Sequence, residues 1–230
     1  MSMIKTFKCF IATVTIVALT SIVSAAPNRA KRSLTPSWHL PCGDVLESET
    51  ASLGNTEDDV KASLESIKLQ HQLTMNDYLN RDYEYLYEAV RFSIQDHQYI
   101  PNWIPGKKDV NMLKNLSQQR PQTIANYLPK LHMDLQKFAV AFEELIEDES
   151  RPKFQEALLS TQSYLTMMLC EVESNIVVLP TLKLPLRVQR SIMSSTEREP
   201  VDVTRRLVRD WGILLKYRDY LHAWRRIFDY

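Results

Sequence analysis

The sequence predicts an all-α fold, an up-up-down-down four-helix bundle with two long crossover connections, and three observations predict it. Four runs repeat apolar residues at helical spacing, near Asp58 to Gln95, Pro121 to Glu147, Pro152 to Val178 and Val201 to Phe228. The joints between them are long, short and long: about 25 residues, roughly five, and about 22, where simple up-down bundles use about 2 to 8. A helix of about 25 residues is roughly 38 Å long, and about 11 or 12 extended residues cover that distance. Both long joints therefore have enough chain to return along the bundle, while the short one forces antiparallel neighbours.

Ahead of the helices, Lys5 and Lys8 precede an apolar run from Cys9 to Val23 and then Ser24-Ala25-Ala26. This is the pattern of a secretory signal peptide cleaved after Ala25, too short to read as a membrane span. Arg29-Ala30-Lys31-Arg32-Ser33 follows in a stretch rich in Pro, Asn and Ser. It reads as a furin-type processing site between Arg32 and Ser33, the alternative being a solvated basic patch. The expected organisation is a signal peptide over 1–25, a short propeptide over 26–32 and one domain over 33–230. No other run is long and apolar enough for the mature chain to insert in a membrane.

Processing changes the charge. The whole chain has 28 Lys and Arg against 28 Asp and Glu. Removing Lys5, Lys8, Arg29, Lys31 and Arg32 takes away five bases and no acid, leaving a net charge of −5. That balance argues against nucleic acid and anionic membrane surfaces as partners. About 200 residues, in a chain that is 44% hydrophobic, bury one sizeable core.

Cys9 leaves with the signal peptide, so Cys42 and Cys170 remain, an even count suited to an oxidising compartment. Cys42 lies shortly before the first helix, and Cys170 is about eight residues, roughly 12 Å, from the end of the third. The topology puts those two ends together, so a Cys42–Cys170 bridge is expected; two free or intermolecular thiols are the alternative.

The first helix carries Val60, Leu64, Ile67, Met75, Leu79, Leu86 and Val90 as its stripe, with Asn80-Arg81-Asp82 as a bend and Tyr78, Tyr83, Tyr85 and Tyr87 read as packing with hydroxyls at the rim, an interface being the alternative. His71 on its apolar side reads as a hydrogen-bonded rim residue rather than a ligand. The second helix alternates steps of four and three through Ile124, Leu128, Leu131, Leu135, Phe138, Phe142 and Leu145. Pro129 makes it either start near Leu128 or kink there.

Glu143, Glu144, Glu147, Asp148 and Glu149 read as the solvated end of the second helix. The third helix opens at Ser150-Arg151-Pro152, with Ser150 as cap, and continues through Phe154, Leu158, Thr161, Leu165, Met168, Val172 and Ile176. The last helix buries Leu207, Trp211, Leu214, Leu221, Trp224 and Phe228. Arg205, Arg209, Lys216, Asp219 and Arg226 fall on its other side. Gly212 and Ala223 share that polar stripe, leaving a shallow surface with cationic edges that suits docking or is simply solvated.

Ile100-Pro101-Asn102-Trp103-Ile104-Pro105 and the run from Val177 to Leu186 are apolar crossover segments that proline keeps from being helical, so they are expected to lie extended on the bundle. Asn115-Leu116-Ser117 is an N-glycosylation sequon in the first crossover.

The parts an enzyme needs are missing. Gly43, Gly54, Gly106 and Gly212 form no phosphate cradle or nucleophile elbow. His39, His71, His97, His132 and His222 show no metal-binding spacing, and no Cys-x-x-Cys occurs. Neither a metal nor a cofactor is implied. A binding protein is expected, not an enzyme.

With these helix lengths, this crossover pattern and a cysteine before the first helix placed to meet one in the third, most of the mature chain resembles a long-chain helical cytokine of the interleukin-6 type. The last helix, from Arg205-Arg206-Leu207-Val208-Arg209-Asp210-Trp211-Gly212 through Tyr217-Arg218-Asp219-Tyr220-Leu221-His222-Ala223-Trp224-Arg225-Arg226, is similar in texture to that class's receptor-binding helix. Within the class the combination resembles the insect unpaired cytokines, ligands of the Domeless receptor. The Phe-x-x-Lys pair of the leukaemia-inhibitory branch is absent, so its receptor contact is not carried over.

The resemblance implies a secreted ligand, monomeric before receptor engagement, that crosslinks cell-surface cytokine receptors and activates Janus kinase and STAT signalling. Arg205, Arg209, Lys216, Arg218, Arg225 and Arg226 are the expected receptor-binding residues. Arg218, Arg225 and Arg226, beside the last crossover, would meet one receptor, and exposed residues of the first and third helices another. The competing reading is a secreted helical carrier of a small apolar ligand.

Overall fold

In the computed structural model, which describes residues 33–43, 56–79 and 100–229, the protein is all-α, with no strand among the described residues. Helix α1 spans Glu57–Asp77. Its Thr56 hydroxyl accepts from the Asp59 amide at 3.2 Å while the Asp59 carboxylate accepts from the Thr56 amide at 3.1 Å, a reciprocal cap. Helix α2, Lys107–Lys114, starts where the Gly106 amide donates to the Asp109 carboxylate at 3.0 Å. Short α3, Pro121–Ala125, and long α4, Leu128–Asp148, each carry proline in the first turn, where its missing N–H costs nothing.

Helix α5 spans Pro152–Val178, short α6 is Ser195–Arg198, and α7 spans Val203–Phe228. The Asp202 side chain caps α7 by accepting from the Arg205 amide at 2.8 Å. All described residues fall in one compact unit, Arg32–Tyr230.

Several expectations change here. The first crossover is not wholly extended, because Gly106 and Asp109 supply a helix start that the apolar reading passed over. The second helical run is two helices, although, of the two alternatives for Pro129, the start near Leu128 with proline in the first turn is the one that holds. Ser150 does not cap α5. The cap position is Arg151, whose amide donates at 2.7 Å to the Glu149 carboxylate. The tyrosines at 83, 85 and 87, the bend at 80–82, and Leu86 and Val90 lie outside the described residues.

Contacts fix how the long helices meet. Between α1 and α5, the Thr74 hydroxyl lies 3.5 Å from the Tyr164 carbonyl, and the Ser66 hydroxyl donates to Glu171. Between α1 and α7, the His71 and Phe228 rings are 5.3 Å apart, and the Tyr78 hydroxyl donates to the Leu214 carbonyl at 3.0 Å. Between α4 and α5, His132 meets Glu173 at 2.9 Å, while Gln155 donates to the Ile146 carbonyl at 3.3 Å. Between α4 and α7, Tyr220 donates to Asp134 at 2.8 Å and Arg209 to Asp148 at 2.7 Å. In each pair residue numbers rise on one helix as they fall on the other.

The described stripe residues of the four runs face the core. Phe138 and Tyr217 have ring centroids 5.0 Å apart, Phe142 and Tyr217 5.2 Å, and Tyr78 and Tyr217 4.9 Å, within the range of favourable aromatic pairs. Tyr78 therefore sits in the interior, hydroxyl included, because the Leu214 carbonyl satisfies it. His71 is likewise buried rather than at the rim.

Burial pushes the His71 pKa down to about 3, against the opposing effect of its hydrogen bond to the Leu221 backbone. A folded value below the ordinary 6.5 means the unfolded chain takes the proton first. The contribution to stability is complete above 6.5 and is lost as pH falls from there toward 3. His71→Leu is expected to flatten the acid dependence of unfolding in that window by about 1.4 kcal/mol per pH unit relative to the unsubstituted protein. Parallel pH profiles of the two proteins would refute it.

The second crossover is held by apolar contacts, with Leu182, Val188 and Ile192 packed against the core, and by charge. Leu184 and Leu186 are exposed, and it is Leu179 and Met193 that enter the core. Arg187 pairs with Glu173, Arg190 with Glu143 at 2.6 Å, and Arg198 with Glu144 at 2.6 Å. The acidic run at the end of α4 is thus not solvated. Glu144 is fully buried, and the run receives arginines from the crossover and from α7, because their guanidinium groups offset its desolvation.

Residues 33–43 are strapped over the same region. Trp38 is fully buried and its indole donates to the Val188 carbonyl at 2.8 Å. Cys42 and Cys170 form the expected disulfide, with Cα atoms 4.8 Å apart.

Gly212 is not part of an open polar stripe. A Cβ there would lie 2.5 to 2.7 Å from three side-chain carbons of Ile100, so the glycine lets the first crossover approach α7. Gly212→Ala is expected to cost about 1 to 2 kcal/mol, overpacking outweighing a helix-propensity gain of up to about 1. Adding Ile100→Ala should recover part of that loss in a double-mutant cycle of urea melts; strict additivity would refute it.

Candidate functional site

A 26-residue helix such as α7 is about 39 Å long, so its six predicted receptor-binding residues cannot all form one patch. The structure divides them. Arg205 stands at the start of α7, half-exposed and paired with Asp202 at 3.3 Å. Arg209 turns inward and is 1% exposed. It donates to Asp148 and Asp210 at 2.7 Å and to the Glu197 carbonyl at 2.7 Å, holding α7 to α4 and α6. Its position on the helical wheel suggested solvent, but α6 and the end of α4 cover it.

Lys216 donates to the Pro101 carbonyl at 2.7 Å and fixes the first crossover to α7. Burial lowers its pKa. Arg209 and Lys216 therefore bind this protein's own backbone and carboxylates, and belong to the scaffold behind the surface.

Arg218, Arg225 and Arg226 gather at the other end of α7. Arg225 and Arg226 are exposed in the last turn, where cations suit the negative end of the helix dipole. Arg218 donates to Asp219 at 2.7 Å. His222 stands among them, half-buried, and desolvation followed by the charges of Arg218 and Arg225 lowers its pKa.

Two hollows open here. One, of about 430 Å³, is lined by His222, Arg225, Arg226 and Asp229. The other, about 550 Å³, lies between α7 and α2 and includes Lys107, Val110 and Lys114. The neighbour of this end of α7 is thus α2 of the first crossover, not the last crossover, which is tied to α4 and α5 and to the start of α7. The α2 lysines were missed because their segment did not read as a helix. Gly106 followed three residues later by Asp109 was the available signal.

Asn115 is exposed at the end of α2, with Ser117 donating to the Lys114 carbonyl at 3.2 Å. At the processing site, Arg32 lies outside the described residues, while the exposed Ser33 accepts through its carbonyl from Arg190 at 2.9 Å. No helix among the described residues is long and apolar enough to cross a membrane. The Cys42–Cys170 bridge fits an oxidising compartment.

The chain matches no protein-family model, and neither a characterised protein nor a solved structure is significantly similar to it. The geometry of its own residues therefore carries the functional argument.

Proposed function

We propose that the protein is a secreted helical cytokine that binds and crosslinks cell-surface cytokine receptors and thereby activates Janus kinase and STAT signalling. The observation that carries the proposal is the pattern of helix senses. Contacts run in opposite sense for α1 with α5, α1 with α7, α4 with α5 and α4 with α7. An up-up-down-down bundle, with α1 and α4 one way and α5 and α7 the other, accounts for all four pairs. It also uses the short α4–α5 joint and the two long crossovers as their lengths require.

Such a ligand contributes binding free energy and geometry, not chemistry. The exposed cationic end of α7, with Arg218, Arg225 and Arg226, suits one receptor chain. Exposed Leu69, Leu73, Leu159 and Met167 on α1 and α5 suit a second. Export is supported by the signal-peptide pattern, the disulfide and the exposed sequon at Asn115. The carrier alternative needs interior volume, whereas the rings of Phe138, Phe142 and Tyr78 pack around Tyr217 in the interior.

The test applies purified protein beginning at Ser33 to cells with and without a candidate cytokine receptor. STAT phosphorylation confined to receptor-bearing cells is expected. Absence of a response across such receptors, together with strong thermal stabilisation by a lipid, would replace the proposal with the carrier.

A further inference from the structure

The groove between α2 and α7 has a composition that narrows its occupant. Lys107 and Lys114 stand on one wall, Arg218 and Arg226 on the other, and the half-buried Val110 and buried Ala223 lie within it. Lys107 and Lys114 are seven residues apart, two turns and about 10 Å along α2. Arg218 and Arg226 are eight apart, about 12 Å along α7. The cations are concentrated against the balance of the domain, whose net charge from Ser33 onward is −5.

The groove is also preformed. Lys130 on α4 bonds Asp109 of α2 at 3.0 Å and Asp134 at 2.5 Å, while Lys216 holds the segment before α2. A partner entering it need order only the long cationic side chains, not the backbone of the walls.

From this arrangement we infer that the groove receives an acidic protein segment with one apolar side chain between carboxylates. The inference rests on the receptor-ligand proposal and specifies the chemistry that one receptor would present. In an extended segment, acidic residues four apart share a face and lie about 13 Å from one another, close to the cation spacing of about 10 to 12 Å along each wall. The apolar side chain between them covers Val110 and Ala223. A uniform polyanion such as a sulfated glycan fits less well. The apolar surface of Val110 and Ala223 offers it nothing, whereas the apolar side chain of the segment covers that surface.

Three probes decide the matter by calorimetry on the protein beginning at Ser33: the peptide Asp-Glu-Leu-Glu-Asp with capped ends, the same peptide with glycine for leucine, and a heparin-derived hexasaccharide. The leucine peptide is expected to bind about tenfold more tightly than the glycine peptide, and about tenfold more tightly than to the Lys107→Glu, Lys114→Glu variant. Both variant lysines are exposed, and an unchanged melting temperature verifies folding. Equal affinity for the two peptides, no effect of the double charge reversal, or tighter binding of the hexasaccharide would each overturn the inference.

STAT phosphorylation separates this from the underlying proposal. If the unsubstituted protein signals but the leucine peptide fails to bind, the groove assignment alone falls. If the peptide binds as stated but no cytokine receptor responds, the groove's chemistry stands and the receptor-ligand proposal falls.

Discussion

Replacing Cys42 and Cys170 together with serine is expected to lower the free energy of unfolding by about 4 to 5 kcal/mol. The bridge joins residues 128 apart in sequence, and on the chain-entropy model a loop of that size restricts the unfolded chain by about this much. Folded domains have total stabilities of only about 5 to 15 kcal/mol, so the bridge supplies a large share of the whole. The loss should also be local. The bridge anchors the strap whose Trp38 is fully buried and donates to Val188, so amide protection around Val188 should fall more than in α4. Urea melts of the oxidised protein and the double serine variant, compared at equal slope, measure the global effect. A difference below about 1 kcal/mol would contradict the assigned role.

Glu173→Ala should be comparably severe, at about 3 to 5 kcal/mol, because it breaks a buried ionic network from one side. The Glu173 carboxylate accepts from Arg187 at 2.5 and 2.6 Å and meets buried His132 at 2.9 Å. Gln136 completes the set, with its amide nitrogen 3.1 Å from the other His132 nitrogen and its carbonyl accepting from the Val188 amide at 2.9 Å. Removing the carboxylate therefore loosens both α4 against α5 and the second crossover.

The same group sets an acid limit. Burial alone would raise the Glu173 pKa, but hydrogen bonds and charge from Arg187 and His132 outweigh it and hold the value at about 2, below the ordinary 4.5. A depressed carboxylate stabilises the fold fully above 4.5, and that stabilisation is lost as pH falls toward 2. Its size is on the order of 3 kcal/mol. Glu173→Gln should remove this component from the pH profile while leaving the His71 component, which begins near 6.5, in place. An unchanged profile below 4.5 would exclude the network as its source.

What could be read in the sequence were features that depend on spacing within one segment. The four-and-three rhythm from Leu128 to Leu145 identified buried positions of α4, and the proline at 152 marked the start of α5. The Cys42–Cys170 bridge was reachable because the expected topology, taken with the helix lengths, brings those ends together. Features that depend on distant parts of the chain were not legible. A helical wheel placed Arg209 with solvent-facing cations, since nothing local reveals that α6 and Asp148 close over it. Glu143, Glu144 and Asp148 looked like an exposed acidic end because their partners, Arg190, Arg198 and Arg209, lie 47 to 61 residues away. Gly212 resembled an idle helical glycine because Ile100, which packs against it, belongs to a distant segment.

The candidate site followed the same division. Arg218, Arg225 and Arg226 share one end of α7 by spacing alone, so the sequence could group them. Lys107 and Lys114 reach them only by tertiary packing of α2, which no pattern in either segment encodes.

The most direct test of the central claim, that the end of α7 is a receptor-binding surface, is the affinity of the Arg225→Glu, Arg226→Glu variant for a responsive receptor ectodomain. Both residues are exposed, so the variant should stay folded with its disulfide, its melting temperature lowered only by the loss of two favourable charges at the end of the helix dipole. The account predicts at least a tenfold loss of affinity with a matching loss of STAT phosphorylation. A folded variant that binds and signals like the unsubstituted protein would contradict it.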